Sequence, residues 1–157
     1  MVYLIALLIY GMDQWLKWIV RTHMILGNEV PVIKSVLYLA YIRNPGAAFS
    51  ILPNARWLLV LIALVVMAGV IYAQRRLRYS WLAQIGLALV LGGLLGNLTD
   101  RVLSGTVVDY VYFKIINFPI FNLADVAIDV GVGLLLLFSL RNDRPKGKVT
   151  SGEELSK

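Results

Sequence analysis

Three carboxylates sit in stretches where a carboxylate needs a reason. Asp125 falls in the first turn of an apolar run over 123–140, and Asp129 lies one turn deeper in it. That run is long enough to cross a bilayer, which takes ~20 residues at helical rise. A carboxylate at membrane depth costs roughly 2.5–3.5 kcal/mol on insertion scales, so one that is kept there has a partner or a task. Asp109 is the single acid of a β-branched and aromatic stretch over 106–113. Two carboxylates facing each other at a partly dry site do not both ionise readily, and they share a proton. The ionised one can take a proton from water as the water attacks a carbonyl, while the other hydrogen-bonds the carbonyl oxygen. Such a pair titrates jointly. An amide bond near the membrane surface is a substrate it could cleave. The spacing alone is unspecific, because two acids in a membrane chain can also be ordinary ion-pair partners.

The rest of the chain has to bring Asp109 opposite Asp125. Of its 157 residues, 59% are hydrophobic and 15% charged, with a mean hydropathy of +0.76. Soluble domains lie nearer about 45–50% apolar, so this is a membrane chain, mainly α, with one membrane-embedded domain over 1–140. There is no cysteine. That excludes thiol nucleophiles, Cys-based metal sites and disulfides, and the chain cannot itself carry a lipid on Cys. The net charge of +6 resides largely in two knots, Arg75, Arg76 and Arg78, then Arg141, Arg144, Lys146 and Lys148, each directly after an apolar run. Such flanks follow the positive-inside bias and argue against nucleic acid as a partner.

Four spans are expected, at about 1–20, 57–73, 81–98 and 123–140. Residues 1–9 have no basic flank, and no small-residue cleavage site precedes Asp13, so the first run is expected to stay as a span rather than leave as a signal peptide. Asp13 and Lys17 are four apart with the acid first, the favoured order on one helix face. A salt bridge that makes both tolerable in lipid and a polar face turned to a site are equally good readings. Residues 27–52 are not a span. Val36, Tyr38, Ala40 and Ile42 alternate with Leu37, Leu39 and Tyr41, a period of two. We expect a small extracytoplasmic β-rich insertion on the bilayer surface, with an apolar face suited to membrane lipids. Arg43-Asn44-Pro45-Gly46-Ala47-Ala48-Phe49 is a tight turn that, taken alone, reads as structural. Gly92, Gly93 and Gly96 allow close helix approach, and Asn97 and Arg101 share the face that carries Gly93. Asn122 is a fitting N-cap for the last span. The tail 141–157 is polar, basic and expected to be flexible.

With four spans both termini fall on one side, and the basic clusters make that side cytoplasmic. Asp13, Lys17, Asn44, Asn97, Arg101, Asp109, Asn122 and Asp125 then gather at the outer end of the bundle.

The chain resembles the lipoprotein signal peptidase (signal peptidase II) family over roughly 11–133. The matching pieces are Asp13-Gln14 with Lys17; Arg43 to Phe49; Gly96-Asn97-Leu98-Thr99-Asp100-Arg101; Val107-Val108-Asp109-Tyr110; and Phe118-Pro119-Ile120-Phe121-Asn122-Leu123-Ala124-Asp125. Each is short, but five in order in a four-span chain are specific. The resemblance implies an aspartic endopeptidase of the bacterial cytoplasmic membrane. It would remove signal peptides from prolipoproteins by cutting before a cysteine that carries diacylglycerol. Asp109 and Asp125 match the catalytic pair. Asp13, Lys17, Asn44, Gly46, Gly93, Asn97, Arg101, Asn122 and Ala124 match positions that place the pair and grip substrate main chain. The β-rich insertion and the Asp109 segment would form a cradle and lid. A cyclic depsipeptide of the globomycin kind would occupy the pair, and neither metal nor cofactor is implied, consistent with the lone His23. Asp129 departs from the pattern, which has a small or apolar residue there; we expect it to pair with Lys17 or another polar group.

Two rivals differ in what they need. A serine–lysine membrane peptidase would use Lys17 as a desolvated base, with Ser50 or Ser104 as nucleophile. A small ion-coupled transporter subunit would place its acids near the midplane and often shows repeated halves. No internal repeat is visible here.

Overall fold

The computed structural model describes residues 1–47, 51–78 and 80–142. The first helix, α1 (Val2–His23), buries Val2, Ala6, Asp13, Lys17 and Val20. These recur at helical spacing on one face. The other face exposes Leu4, Leu7, Leu8, Met12, Trp15 and Trp18, so α1 is oily outside and charged inside. Two antiparallel strands follow, β1 (Glu29–Ile33) and β2 (Leu37–Asn44). Then come α2 (Arg56–Arg76), α3 (Trp81–Ser104), β3 (Val107–Phe113), a 3₁₀ turn at Lys114–Ile116 and α4 (Leu123–Asn142).

Three helices, α2, α3 and α4, are long and apolar enough to cross a membrane. The fourth expected span, α1, is not among them, because Asp13, Gln14 and Lys17 lower its average apolarity. Asn142 still belongs to α4, so the basic tail begins inside the helix, and its remainder, 143–157, lies outside the described residues. Ala48, Phe49 and Ser50 also lie outside them.

At the centre is α3, with buried residues at both ends and between, among them Leu82, Leu87, Leu91, Asn97 and Asp100. By contrast α2 buries only Leu59, Val60 and Val70, and α4 only Ala124, Ala127 and Gly131. Lipid tails are as apolar as leucine, so helices in a membrane associate through tight packing of small residues. A Cβ on Gly92 would come 2.7 Å from the Ala6 carbonyl oxygen, and one on Gly86 2.9 Å from that of Gly131. Local signals fix the ends of α3. The Ser80 hydroxyl accepts from the Ala83 N–H at 3.3 Å, a side-chain N-cap. Gly105 ends it at φ +79°, in the left-handed region that glycine enters freely.

The β-rich insertion expected over 27–52 supplies only two strands of the sheet. Its order is β1–β2–β3, all antiparallel, with the Asp109 segment as the third strand. Ile42 pairs with Asp109 and Asn44 with Val107, so the end of β2 lies beside the acid. A bulge between Leu39 and Ile42 shifts the register. Val20, Tyr41, Val108 and Tyr110 form a small core that seats the sheet on α1.

Candidate active site

The last helix begins with a reciprocal cap. The Asp125 N–H donates to Asn122 Oδ1 at 3.0 Å, and the Asn122 N–H donates to Asp125 Oδ2 at 3.1 Å. Both groups would otherwise be orphan donors of the first turn. Because Asn122 caps the helix, its side chain is fixed, and its Nδ2 reaches across to Asp109 Oδ1 at 2.7 Å. One fully buried residue therefore bonds both carboxylates, Asp109 through its side-chain amide and Asp125 through its main-chain N–H.

Each acid has a second amide. Asn44 Nδ2 donates to Asp109 Oδ2 at 3.0 Å, and Asn97 Nδ2 donates to Asp125 Oδ1 at 2.7 Å. Burial, and after it the neighbouring Asp125 charge, push the Asp109 carboxyl up to about 7, although the two amides pull the other way. Near neutral pH this carboxyl can therefore be found with or without its proton.

Gly46 and Arg101 hold the turn that carries Asn44. The Gly46 N–H donates to Asn44 Oδ1 at 2.9 Å, and Arg101 Nη2 donates to the Gly46 carbonyl at 2.8 Å. Arg101 also reaches the carbonyl of Asn97. Gly93 lets α4, and Gly96 lets α1, come against α3: a Cβ on Gly93 would overlap the Ala124 carbonyl oxygen, and one on Gly96 the Asp13 carboxylate. Ala124 is fully buried and its N–H donates to Asp13 Oδ1 at 3.1 Å. All eleven residues singled out in the sequence are thus brought into one assembly.

A second set of polar residues lies directly behind. The Lys17 ammonium has three N–H groups and three partners, Asp13 at 2.8 Å, Asn97 Oδ1 at 2.9 Å and Asp100 at 3.0 Å. The two readings of Asp13 and Lys17 are therefore one: the salt bridge is the polar face turned to the site. Asp100 and Arg21 were not singled out. Asp100 accepts from Arg21 and, at 3.2 Å, from the Val108 N–H, so it pins the strand one residue before Asp109. The signal available was spacing, since 13, 17 and 21 form one polar stripe with more positive charge than Asp13 can balance.

Asp129 does not pair with Lys17, whose donors are all taken. It is exposed and lines the same cavity as the two acids. That cavity, of about 330 Å³, is lined by the polar Asn44, Asn97, Arg101, Asp109 and Asp125 and by the apolar Leu59, Ile62, Val66, Leu94 and Ile128. Ser104 donates to the carbonyls of Asp100 and Thr106, and among the described residues no hydrogen bond joins it to a lysine. Among the described residues, no group of three or more His, Asp or Glu is gathered to hold a metal ion.

A profile of the family described as signal peptidase (SPase) II matches residues 5–141. The chain is 45% identical over 149 residues to the lipoprotein signal peptidase of Halalkalibacterium halodurans, covering 93% of this chain and 96% of that one. It is also 45% identical over 142 residues to the lipoprotein signal peptidase of Desulfitobacterium hafniense (strain DSM 10664 / DCB-2), covering 90% and 93%. Two solved structures, each described as a bacterial membrane enzyme determined by the in meso method, share its fold. One has a TM-score of 0.88 and 32% identity over 99% of this chain and 94% of that one. The other has 0.82 and 34%, over 90% and 93%.

Proposed function

The chain belongs to the signal peptidase II family, a family of proteases that remove signal peptides from prolipoproteins, and on that premise we propose that its chemistry is aspartic, with Asp109 and Asp125 as the catalytic pair. The observation that carries this is the shared partner: Asn122 hydrogen-bonds Asp109 through its side chain and Asp125 through its main-chain N–H, and both acids line one cavity.

The ionised carboxylate takes a proton from a water as its oxygen attacks the scissile carbonyl carbon, and the protonated carboxyl donates to the carbonyl oxygen. The tetrahedral intermediate then collapses. The C–N bond breaks and the departing amine takes a proton from the pair, returning it to a single shared proton. Asn44, Asn97 and Asn122 are neutral donors, so they orient both carboxylates without fixing which one is charged. Asp13, Lys17, Gly46, Gly93, Arg101 and Ala124 hold those amides and the two helix starts in place.

The substrate is a prolipoprotein whose cysteine already bears diacylglycerol, cut just before that cysteine. The chain crosses the bacterial cytoplasmic membrane four times, α1 included, because its outward face is apolar and its charged residues are buried inside. Both termini are cytoplasmic, the pair lies near the outer leaflet, and the exposed apolar strand β1 rests on lipid. A globomycin-like cyclic depsipeptide would block turnover by occupying the pair.

The test is to incubate the purified full chain with a diacylglyceryl-modified prolipoprotein and follow the shortened product. Turnover is expected from the unsubstituted chain, but not from Asp109→Asn or Asp125→Asn. Cleavage that survives either substitution would overturn the aspartic mechanism.

A further inference from the structure

Asp129 is the one acid near the site that the proposed mechanism leaves without work. Its side chain has no hydrogen bond or ion pair among the described residues. The two cations nearest the site are committed, Lys17 to Asp13, Asp100 and Asn97 and Arg101 to the carbonyls of Gly46 and Asn97. Yet Asp129 is exposed into the cavity that holds the pair. It follows Asp125 by four residues on the same helix face, about 6 Å further along the axis.

A peptide bond is attacked in an extended segment, so a signal peptide entering the cavity gives up helical hydrogen bonds around the cut. In hydrocarbon every main-chain N–H freed in this way must find another acceptor. The apolar part of the lining, Leu59, Ile62, Val66, Leu94 and Ile128, offers no side-chain acceptor. Asp129 stands among them with both oxygens free of partners among the described residues. The segment before a signal-peptide cleavage region is apolar, with its positive charges at the far end, so the donors at this depth are main-chain N–H groups rather than side-chain cations. An offset of about 6 Å corresponds to about two residues of extended chain.

We propose that Asp129 is a substrate-binding residue whose carboxylate accepts a main-chain N–H of the signal peptide about two residues before the scissile bond. This rests on the peptidase function proposed above. It makes the cavity bipartite, with the reaction at Asp109 and Asp125 and a main-chain grip one turn further along α4.

The test uses the full chain and the same lipidated prolipoprotein, with kcat and KM measured separately. Asp129→Leu removes the acceptor and should raise KM roughly tenfold, the scale of one charge-assisted hydrogen bond, with kcat within about twofold. Asp129→Asn keeps an acceptor oxygen but not the charge, and its KM should fall between those of the unsubstituted chain and Asp129→Leu. A substrate N-methylated at one of the three amides before the cut should show the same KM increase with the unsubstituted chain and no further increase with Asp129→Leu. The methylated substrate needs no variant to fold. An unchanged KM for Asp129→Leu, or methylation that affects both enzymes alike at all three positions, overturns this inference and leaves the peptidase function standing. No turnover by the unsubstituted chain would instead overturn the peptidase function.

Discussion

Four acids, three of them buried and Asp125 half-buried, occupy neighbouring positions in this molecule and are treated in two different ways. Asp13 and Asp100 are given cations, with Lys17 between them and Arg21 on the outer side. Asp109 and Asp125 are given amides, from Asn44, Asn97 and Asn122. A cation in direct contact offsets its acid's charge with an opposite one. A neutral amide stabilises the charge less and lets a proton come and go. The boundary between the two treatments is a single side chain, Asn97, whose Oδ1 faces Lys17 while its Nδ2 faces Asp125. Lys17 is thus close enough to anchor the pair's scaffold and is kept off the pair itself. One cluster is built from opposite charges and the other from acids and neutral amides.

The contrast can be broken first at its reactive half. Asp109→Asn or Asp125→Asn should lower the cleavage rate by about 10³-fold or more while the protein still folds, since an acid–base group is worth 10²–10⁴. Product formation per enzyme, measured alongside thermal unfolding in detergent, checks both parts. On the structural half, Lys17→Met leaves two buried acids without their shared cation and should cost ~3–5 kcal/mol of stability, read as a lower unfolding temperature. Equal effects of the two kinds of substitution on stability would erase the distinction.

A third measurement sharpens it through pH. Asp109 holds its proton up to about 7 when folded, against 3.8 ordinarily. The folded state therefore binds more protons between those values, and stability falls as pH rises through that window. Asp109→Asn should flatten this slope. Activity should also fall above about pH 7 as the pair loses its shared proton. Thermal unfolding and turnover from pH 4 to 8 check the two together. The smallest expected effect is at Arg21, which is 34% exposed beside Asp100. Arg21→Gln should cost no more than ~1 kcal/mol, visible as a shift of a few degrees at most.

Much of this arrangement was legible in the chain. The helices sit where apolar runs predicted them, and Asn122 caps α4 as its type and position suggested. The polar residues expected at one depth do converge. What was not legible depends on partners far apart in sequence. Pairing of β3 with β2 is set by the packing of Val108 and Tyr110 on α1, and no local period announces it. Asp100 lies next to a residue that was singled out, but its role follows from Val108 and Arg21, each reached only after folding. The expectation for Asp129 failed for a countable reason: an ammonium has three N–H groups, and those of Lys17 were already taken by nearer partners.

The contact between Gly93 and Ala124 has one further consequence. With no side-chain carbon between them, the gap separating the two central helices at this level is a single layer of main chain. The backbone separation across which Asn97 on α3 reaches Asp125 on α4 is then inherited from polypeptide thickness rather than from any rotamer. A dimension set in this way does not drift when side chains elsewhere exchange conformations, and it cannot be retuned by repacking alone.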